Sequence, residues 1–208
     1  METRKICVLV SGGLDSSILL LMMAKRYREV HPLYIQCGLY WEKTELYWLR
    51  KFLKKVRLIN VKPLKILKVP VEDLYQAHWS LTGRGIPGLR SRDQEVYLPG
   101  RNLLLLSKAA VYCALQGINK IALGILKRNP FPDSQDQFFR ALEKVIQKGL
   151  VCPIKVFTPL SKMTKSQVLQ KAGGIPIELT FSCLRPKGIR PCGRCNKCAE
   201  REKAVRAV

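Results

Sequence analysis

The chain is expected to fold as an α/β protein, a parallel sheet with helices on its faces followed by a small C-terminal unit. Three observations lead there. Short β-branched runs alternate with longer segments of helical periodicity, the first run ends in a Ser-Gly-Gly turn, and four of the eight cysteines crowd between residues 183 and 198.

Taken in order, KICVLV (5–10) is a short apolar run and reads as a buried strand. DSSILLLMMAKRYRE (15–29) has helical length, an acidic residue in its first turn and basic residues at its end, as the helix dipole favours. HPLYIQCG (31–38) is a second strand, EKTELYWLRKFLKKV (42–56) a second amphipathic helix and VKPLKILKVP (61–70) a third strand. Residues 75–97 hold several glycines, Pro87 and three arginines without periodicity and read as a long loop, a kind that is usually functional or disordered. RNLLLLSKAAVYCALQG (101–117) is an apolar helix ended by Gly117, and NKIALGIL (119–126) is a fourth strand. SQDQFFRALEKVIQKG (134–149) is a helix, KVFTPL (155–160) a fifth strand and TKSQVLQKAG (164–173) a last helix before the cysteines. No internal repeat or low-complexity tract interrupts the pattern.

With 208 residues, 47% of them hydrophobic, the chain can bury one sizeable core. No apolar stretch approaches the roughly 18 to 20 residues that span a bilayer, and the apolar part of the N-terminus is too short for a signal peptide, so a cytoplasmic protein without membrane contact is expected. The formal charge of +22 implies attraction to polyanions or anionic substrates, or else a basic surface that is merely solvated; nucleic-acid contact is allowed but not required. Cys7, Cys37, Cys113 and Cys152 stand in apolar contexts and read as buried small hydrophobes.

LVSGGLDSSI raises the question of function. A Gly-Gly turn between a buried strand and a helix N-terminus aims several backbone N–H groups at one point, and the helix dipole adds positive charge there, so phosphate fits. The alternative is an ordinary turn with a Ser/Asp cap. No Gly-Lys-Ser/Thr follows, which excludes the P-loop, and the third glycine of the dinucleotide fingerprint is missing. Ser11, Gly12, Gly13, Leu14, Asp15 and Ser16 do resemble the signature of the N-type ATP pyrophosphatases, the PP-loop superfamily, which split ATP between its α and β phosphates. In that reading the glycines permit close approach, the serine hydroxyls donate to phosphate oxygens, and Asp15 holds Mg2+ on the leaving pyrophosphate.

Cys183, Cys192, Cys195 and Cys198 carry the second signal. Four thiolates at these spacings close a tetrahedral zinc site with no open position, so the metal would fold the tail; an iron–sulfur cluster is the rival.

With both ends read, the chain resembles the 7-cyano-7-deazaguanine synthases of queuosine and archaeosine precursor biosynthesis. YLPGRNLLLLSKAA (97–110) is similar to that family's Val-Pro-Gly-Arg-Asn helix start, TPLSKMTKSQVL (158–169) to its Leu-Thr-Lys segment, and PIELTFSC with PCGRCNKC (176–183, 191–198) to its cysteine tail. The resemblance implies a carbon-nitrogen ligase that uses ATP to convert 7-carboxy-7-deazaguanine and ammonia to the nitrile through adenylated intermediates. It implies ATP, Mg2+ and Zn2+ as cofactors and a homodimer. The ATP pocket would lie within Val10, Ser11, Gly12, Gly13, Leu14, Asp15, Ser16, Ser17, Ile18, Leu19 and Leu20. Arg101, Asn102 and Lys165 would join Asp15 as catalytic groups, with Lys165 neutralising phosphate charge and Asn102 orienting ligand or capping its helix. Asp133 would contact the deazapurine edge or cap the helix that follows it.

Three segments depart from the family, one of them the middle loop TGRGIPGLRSRDQE (82–95), which differs from its usual apolar segment. Where it has an Asp-Tyr-Gly-Gln-Arg-His type stretch, QCGLYWEKTEL (36–46) keeps Gly38 but has Gln36 or Cys37 at the aspartate and lacks Gln-Arg-His. Where it has Tyr-Pro-Asp-Cys, the chain keeps Pro132 and Asp133 but has Ser134. Adenylation is therefore expected more firmly than the acceptor, and three alternatives stay open. One is a related ligase joining a deazapurine carboxylate to another amine, one a PP-loop enzyme modifying tRNA, and one a zinc-stabilised nucleic-acid binder without catalysis. The expected architecture is a five-stranded parallel sheet of the adenine nucleotide α-hydrolase, Rossmann-like type at 1–180, with a four-cysteine zinc unit at 181–208.

Overall fold

The computed structural model describes residues 5–127, 129–171 and 173–206. The expected five-stranded parallel sheet is present: β1 (Lys5–Leu9), β2 (Glu29–Gln36), β3 (Lys65–Lys68), β4 (Lys120–Ala122) and β5 (Lys155–Phe157), in the order β3-β2-β1-β4-β5. Eight α-helices lie among the described residues. They are α1 (Leu14–Ala24), α2 (Glu42–Val56), the single turns α3 (Glu72–Tyr75) and α4 (Trp79–Thr82), α5 (Arg101–Leu115), α6 (Asp136–Leu150), α7 (Lys165–Gln170) and α8 (Asn196–Arg206).

Alternation along β1 explains the layering. Ile6 and Val8 enter one core with Ile18 and Leu19 of α1, Leu49 and Phe52 of α2 and Val168 of α7. Cys7 and Leu9 enter the other with Leu106 and Ala109 of α5 and Phe139 and Leu142 of α6. A strand apolar on both faces is what the central position of a parallel sheet requires. Cys37 and Cys113 are buried with Cys7, as expected, whereas Cys152 is only half-buried, at the turn that follows α6.

Three elements differ from the sequence reading. The helix expected over 15–29 ends at Ala24, and Glu29 already opens β2, because Lys5 pairs with it across the sheet. The expected loop 75–97 contains α4 and a 3-10 turn at Asp93–Val96, and it buries Ser80 and Val96 against the body. From Asn196 the chain forms α8, which carries Cys198 in its first turn and was hidden by the metal motif.

The tail is knitted into the body. Phe181 N donates to Gly12 O at 2.7 Å, Thr44 Oγ1 to Gly188 O at 2.9 Å and Trp48 Nε1 to Ile189 O at 2.7 Å. Cys183, Leu184 and Cys195 belong to the same apolar cluster as α5 and α6. The expected boundary at 180/181 falls between Thr180 and Phe181, both buried. Among the described residues no helix is long and apolar enough to cross a membrane.

Phe52 is fully buried between α2 and the sheet. Phe52→Ala is expected to cost about 3–5 kcal/mol in urea unfolding; a loss below about 1 kcal/mol would contradict this packing.

Candidate active site

β1 delivers Ser11 at its carboxyl end, beside the point where strand order reverses and open α/β sheets bind ligands. Gly12 turns the chain at φ 74°, and a Cβ there would lie 3.1 Å from Glu45 O and from Leu49 Cβ, so only glycine fits. Gly13 precedes α1, and no side chain caps that helix. The serines organise the loop instead: Ser11 N donates to Ser16 Oγ at 3.1 Å, Ser16 Oγ to Gly13 O at 3.1 Å, and Gly13 N to Ser11 Oγ at 3.3 Å. The first-turn N–H groups of α1 are thereby left for an anion. Val10, Leu14, Ile18, Leu19 and Leu20 send their side chains into the core, so ligand can meet this segment only through backbone and through Ser11, Asp15, Ser16 and Ser17.

Asp15 and Lys165, far apart in sequence, are brought together. Asp15 Oδ2 lies 3.5 Å from Lys165 Nζ, while Asp15 Oδ1 is buried without a partner, an oxygen that could take a divalent cation. Burial raises the Asp15 pKa against the opposing charge of Lys165. Burial also works against the Lys165 charge, but Asp15 and Glu200 hold its pKa above the ordinary value. Glu200, from α8, takes Lys165 Nζ at 2.6 Å and Lys197 Nζ at 2.7 Å. Burial alone would raise Glu200; the two lysines bring it down to about 2.

Lys197 also reaches a cavity of about 180 Å³ walled by aromatic rings. Trp41 and Trp79 stack with centroids 5.9 Å apart, and Tyr97 faces Phe131 at 5.1 Å. Asp133 lies in its lining, 6% exposed. Its Oδ2 accepts from Asn102 N at 3.0 Å, and Asn102 Nδ2 donates to Asp133 O at 3.0 Å and Oδ1 at 3.3 Å. Neither residue is the helix cap that the sequence allowed: Asp133 serves the first turn of α5 rather than α6, and Asn102 holds Asp133 rather than capping its own helix, whose cap position is Gly100. Burial raises the Asp133 pKa, opposed by the Asn102 hydrogen bonds.

Arg101 lines the same cavity, its Nε buried and without a partner. Burial opposes its charge, but Glu45, Cys37, Tyr34 and Glu42 raise its pKa. Glu45 accepts from Tyr34 Oη at 2.7 Å, and Glu42 accepts from Cys37 N at 2.7 Å and Gly38 N at 2.9 Å, which shapes the segment that departs from the family pattern. Burial pushes Glu45 up to about 7, with Arg101 pulling the other way.

Trp41, Trp79, Phe131, Glu45, Lys197 and Glu200 were missed by sequence reasoning. Trp41 stands in the departing segment, where its bulk was a usable signal; Trp79 lies in a stretch without periodicity, and Lys197 and Glu200 were obscured by the cysteines.

The four cysteine sulfurs lie within 4.8 Å of one another, with Cys195 to Cys198 at 3.5 Å, Cys192 to Cys198 at 3.9 Å and Cys195 to Cys183 at 4.0 Å. A tetrahedral zinc with Zn–S of about 2.3 Å sets its sulfurs about 3.8 Å apart, so the set fits one such ion. It is too tight for a multi-iron cluster, whose thiolates sit on separate irons. N–H groups of Leu184, Arg185, Cys192 and Arg194 point at these sulfurs, as thiolate charge needs.

Two predictions follow from this geometry. Cys195→Ser is expected to lower bound zinc from about one equivalent, measured by elemental analysis, and to lower Tm; unchanged stoichiometry would sink the four-thiolate assignment. Glu45 should govern part of the pH dependence. Its pKa is raised on folding from 4.5 to about 7, so its contribution to stability is full below about pH 4.5 and is lost as pH rises through about 7. Relative to Glu45→Gln, the natural protein should lose on the order of 1–3 kcal/mol between pH 5 and 7.5; parallel curves for the two proteins would refute it.

Comparison with known proteins identifies the family. The family described as queuosine biosynthesis protein QueC matches residues 5–208. A 7-cyano-7-deazaguanine synthase of Leptospira interrogans is 31% identical, over 97% of this chain and 86% of its own length. One from Archaeoglobus fulgidus is 32% identical, over 98% of this chain and 86% of its own length. Among solved structures, a predicted subunit of tRNA methyltransferase from Methanocaldococcus jannaschii aligns with a TM-score of 0.53 at 18% identity, covering 81% of this chain and 73% of that one, a likeness of fold. With a match over nearly its whole length, this chain belongs to the queuosine biosynthesis protein QueC family.

Proposed function

We propose that the protein is an ATP-dependent 7-cyano-7-deazaguanine synthase, converting 7-carboxy-7-deazaguanine and ammonia to the nitrile. Its main support is the joining of two half-sites through one chain of charges, from Asp15 at the phosphate cradle through Lys165, Glu200 and Lys197 to the aromatic cavity. Aromatic walls suit a planar heterocycle, and Asp133 keeps lone pairs beyond those used by Asn102 for its N–H edge. Arg101, which lines the cavity with its Nε unpaired, would receive the substrate carboxylate.

In this reading the substrate carboxylate attacks the α phosphorus of ATP and pyrophosphate leaves toward the cradle, where the α1 N–H groups and Lys165 meet its charge. Asp15 Oδ1 would hold Mg2+, which supplies charge neutralisation on the leaving phosphates. Ammonia displaces AMP to give the amide, and a second ATP activates the amide oxygen so that loss of AMP leaves the nitrile. The homodimer implied by the family resemblance is part of the same proposal.

Incubation with Mg-ATP, ammonium and 7-carboxy-7-deazaguanine, followed by mass spectrometry, tests it. The nitrile together with AMP is expected; AMP without nitrile would redirect the reading to ligation with another amine, and no turnover would refute it. Asp15→Ala should abolish AMP formation while leaving unfolding unchanged, and near-normal AMP formation would remove Asp15 from its role.

A further inference from the structure

We infer that Glu200 is a positioning residue for the adenylation site, through which the cysteine-anchored helix α8 holds Lys165 against Asp15. The inference rests on the catalytic reading of Lys165 given above.

Lysine carries its charge on a flexible stem with three rotatable donors, so its place must be set by partners. Asp15 holds it only loosely, its Oδ2 lying 3.5 Å from the ammonium, longer than a close hydrogen bond. Glu200 Oε1, at 2.6 Å, makes that bond. The other oxygen, Oε2, takes Lys197 Nζ at 2.7 Å, so both oxygens of one carboxylate are committed to lysines and its charge is matched before any ligand arrives. Lys197 and Glu200, three residues apart, share one face of α8.

Glu200 is itself held on either side. Directly after Cys195, Asn196 N donates to Pro87 O at 2.9 Å and Asn196 Nδ2 to Ser91 O at 2.9 Å. On the next residue along, Arg201 Nη1 donates to Thr180 Oγ1 at 2.6 Å and Nη2 to Ile177 O at 2.6 Å. These bonds from Asn196 and Arg201, with Cys195 just ahead of the helix and Cys198 in its first turn, fix the start and rotation of the helix that presents Glu200.

The test uses the full chain and the variants Lys165→Ala, Glu200→Ala, Glu200→Asp and the double Lys165→Ala/Glu200→Ala. Bound zinc and unfolding are measured for each, then kcat and KM for ATP in AMP formation. The rate at which acetic anhydride labels Lys165 without substrates is read by peptide mass spectrometry. Glu200→Ala should keep its zinc, lose about 10- to 100-fold in kcat with a smaller change in KM, as a misplaced catalytic group does, and expose Lys165 to several-fold faster labelling. Glu200→Asp should recover part of the rate, and the double variant should be no slower than Lys165→Ala alone. An unchanged kcat in Glu200→Ala while Lys165→Ala is inactive would overturn the inference, as would losses that add in the double variant or unchanged labelling. Full activity of Lys165→Ala is a different result, overturning the catalytic reading of Lys165 and this inference with it. Should Glu200→Ala fail to fold, Glu200→Gln keeps the shape without the charge and carries the same comparison.

Discussion

Because β1 is apolar on both sides, it is stable only between two helical layers, and the chain supplies them by leaving β1 in two directions. The β2 and β3 half places α1 and α2 on one face; the return to β4 and β5 places α5 and α6 on the other. Parallel crossovers keep one hand, so reversing direction along the sheet changes the face that is covered. The two halves diverge at the carboxyl end of β1, and the cradle of α1 and the first turn of α5 both open into that divergence. The site's location is a consequence of how β1 is buried.

Charge is then concentrated in a crevice that only partly exposes it. Asp15, Lys165, Glu200 and Lys197 form an alternating series in which each carboxylate meets at least one ammonium. Around Arg101, by contrast, Glu42 and Glu45 satisfy themselves through backbone N–H groups and Tyr34, leaving Nε without a partner. Buried ionic groups are seldom the most stabilising choice for a core. Their placement on both sides of one crevice is more naturally explained by ligands that bring phosphate and carboxylate charge of their own.

The cysteine unit joins these halves. Its sulfurs pack into the same cluster as α5 and α6, its loop bonds to α2 at Thr44 and Trp48, and the helix that leaves it enters the crevice. A closed tetrahedral metal site, which these four thiolates are spaced to form, would offer no chemistry of its own but would make a short, polar helix rigid where helix propensity and burial alone would not.

Much of this was legible in local pattern. The β-branched run of 5–10, the Ser-Gly-Gly turn, the periodicity of 42–56 and the spacing of the cysteines each depend on neighbours in the chain, and they foretell the sheet, the turn before α1 and the four-sulfur cluster. Asp15, Lys165, Arg101, Asn102 and Asp133 could be named from motifs, but not what each does. Asn102 holding Asp133, Trp41 stacking on Trp79, and Glu200 holding Lys165 join residues 31, 38 and 35 positions apart. Such pairs leave no periodic trace. Backbone conformation follows from local sterics and hydrogen bonding, whereas these meetings depend on how α5, α7 and α8 cross the sheet, which is settled by packing over the whole chain.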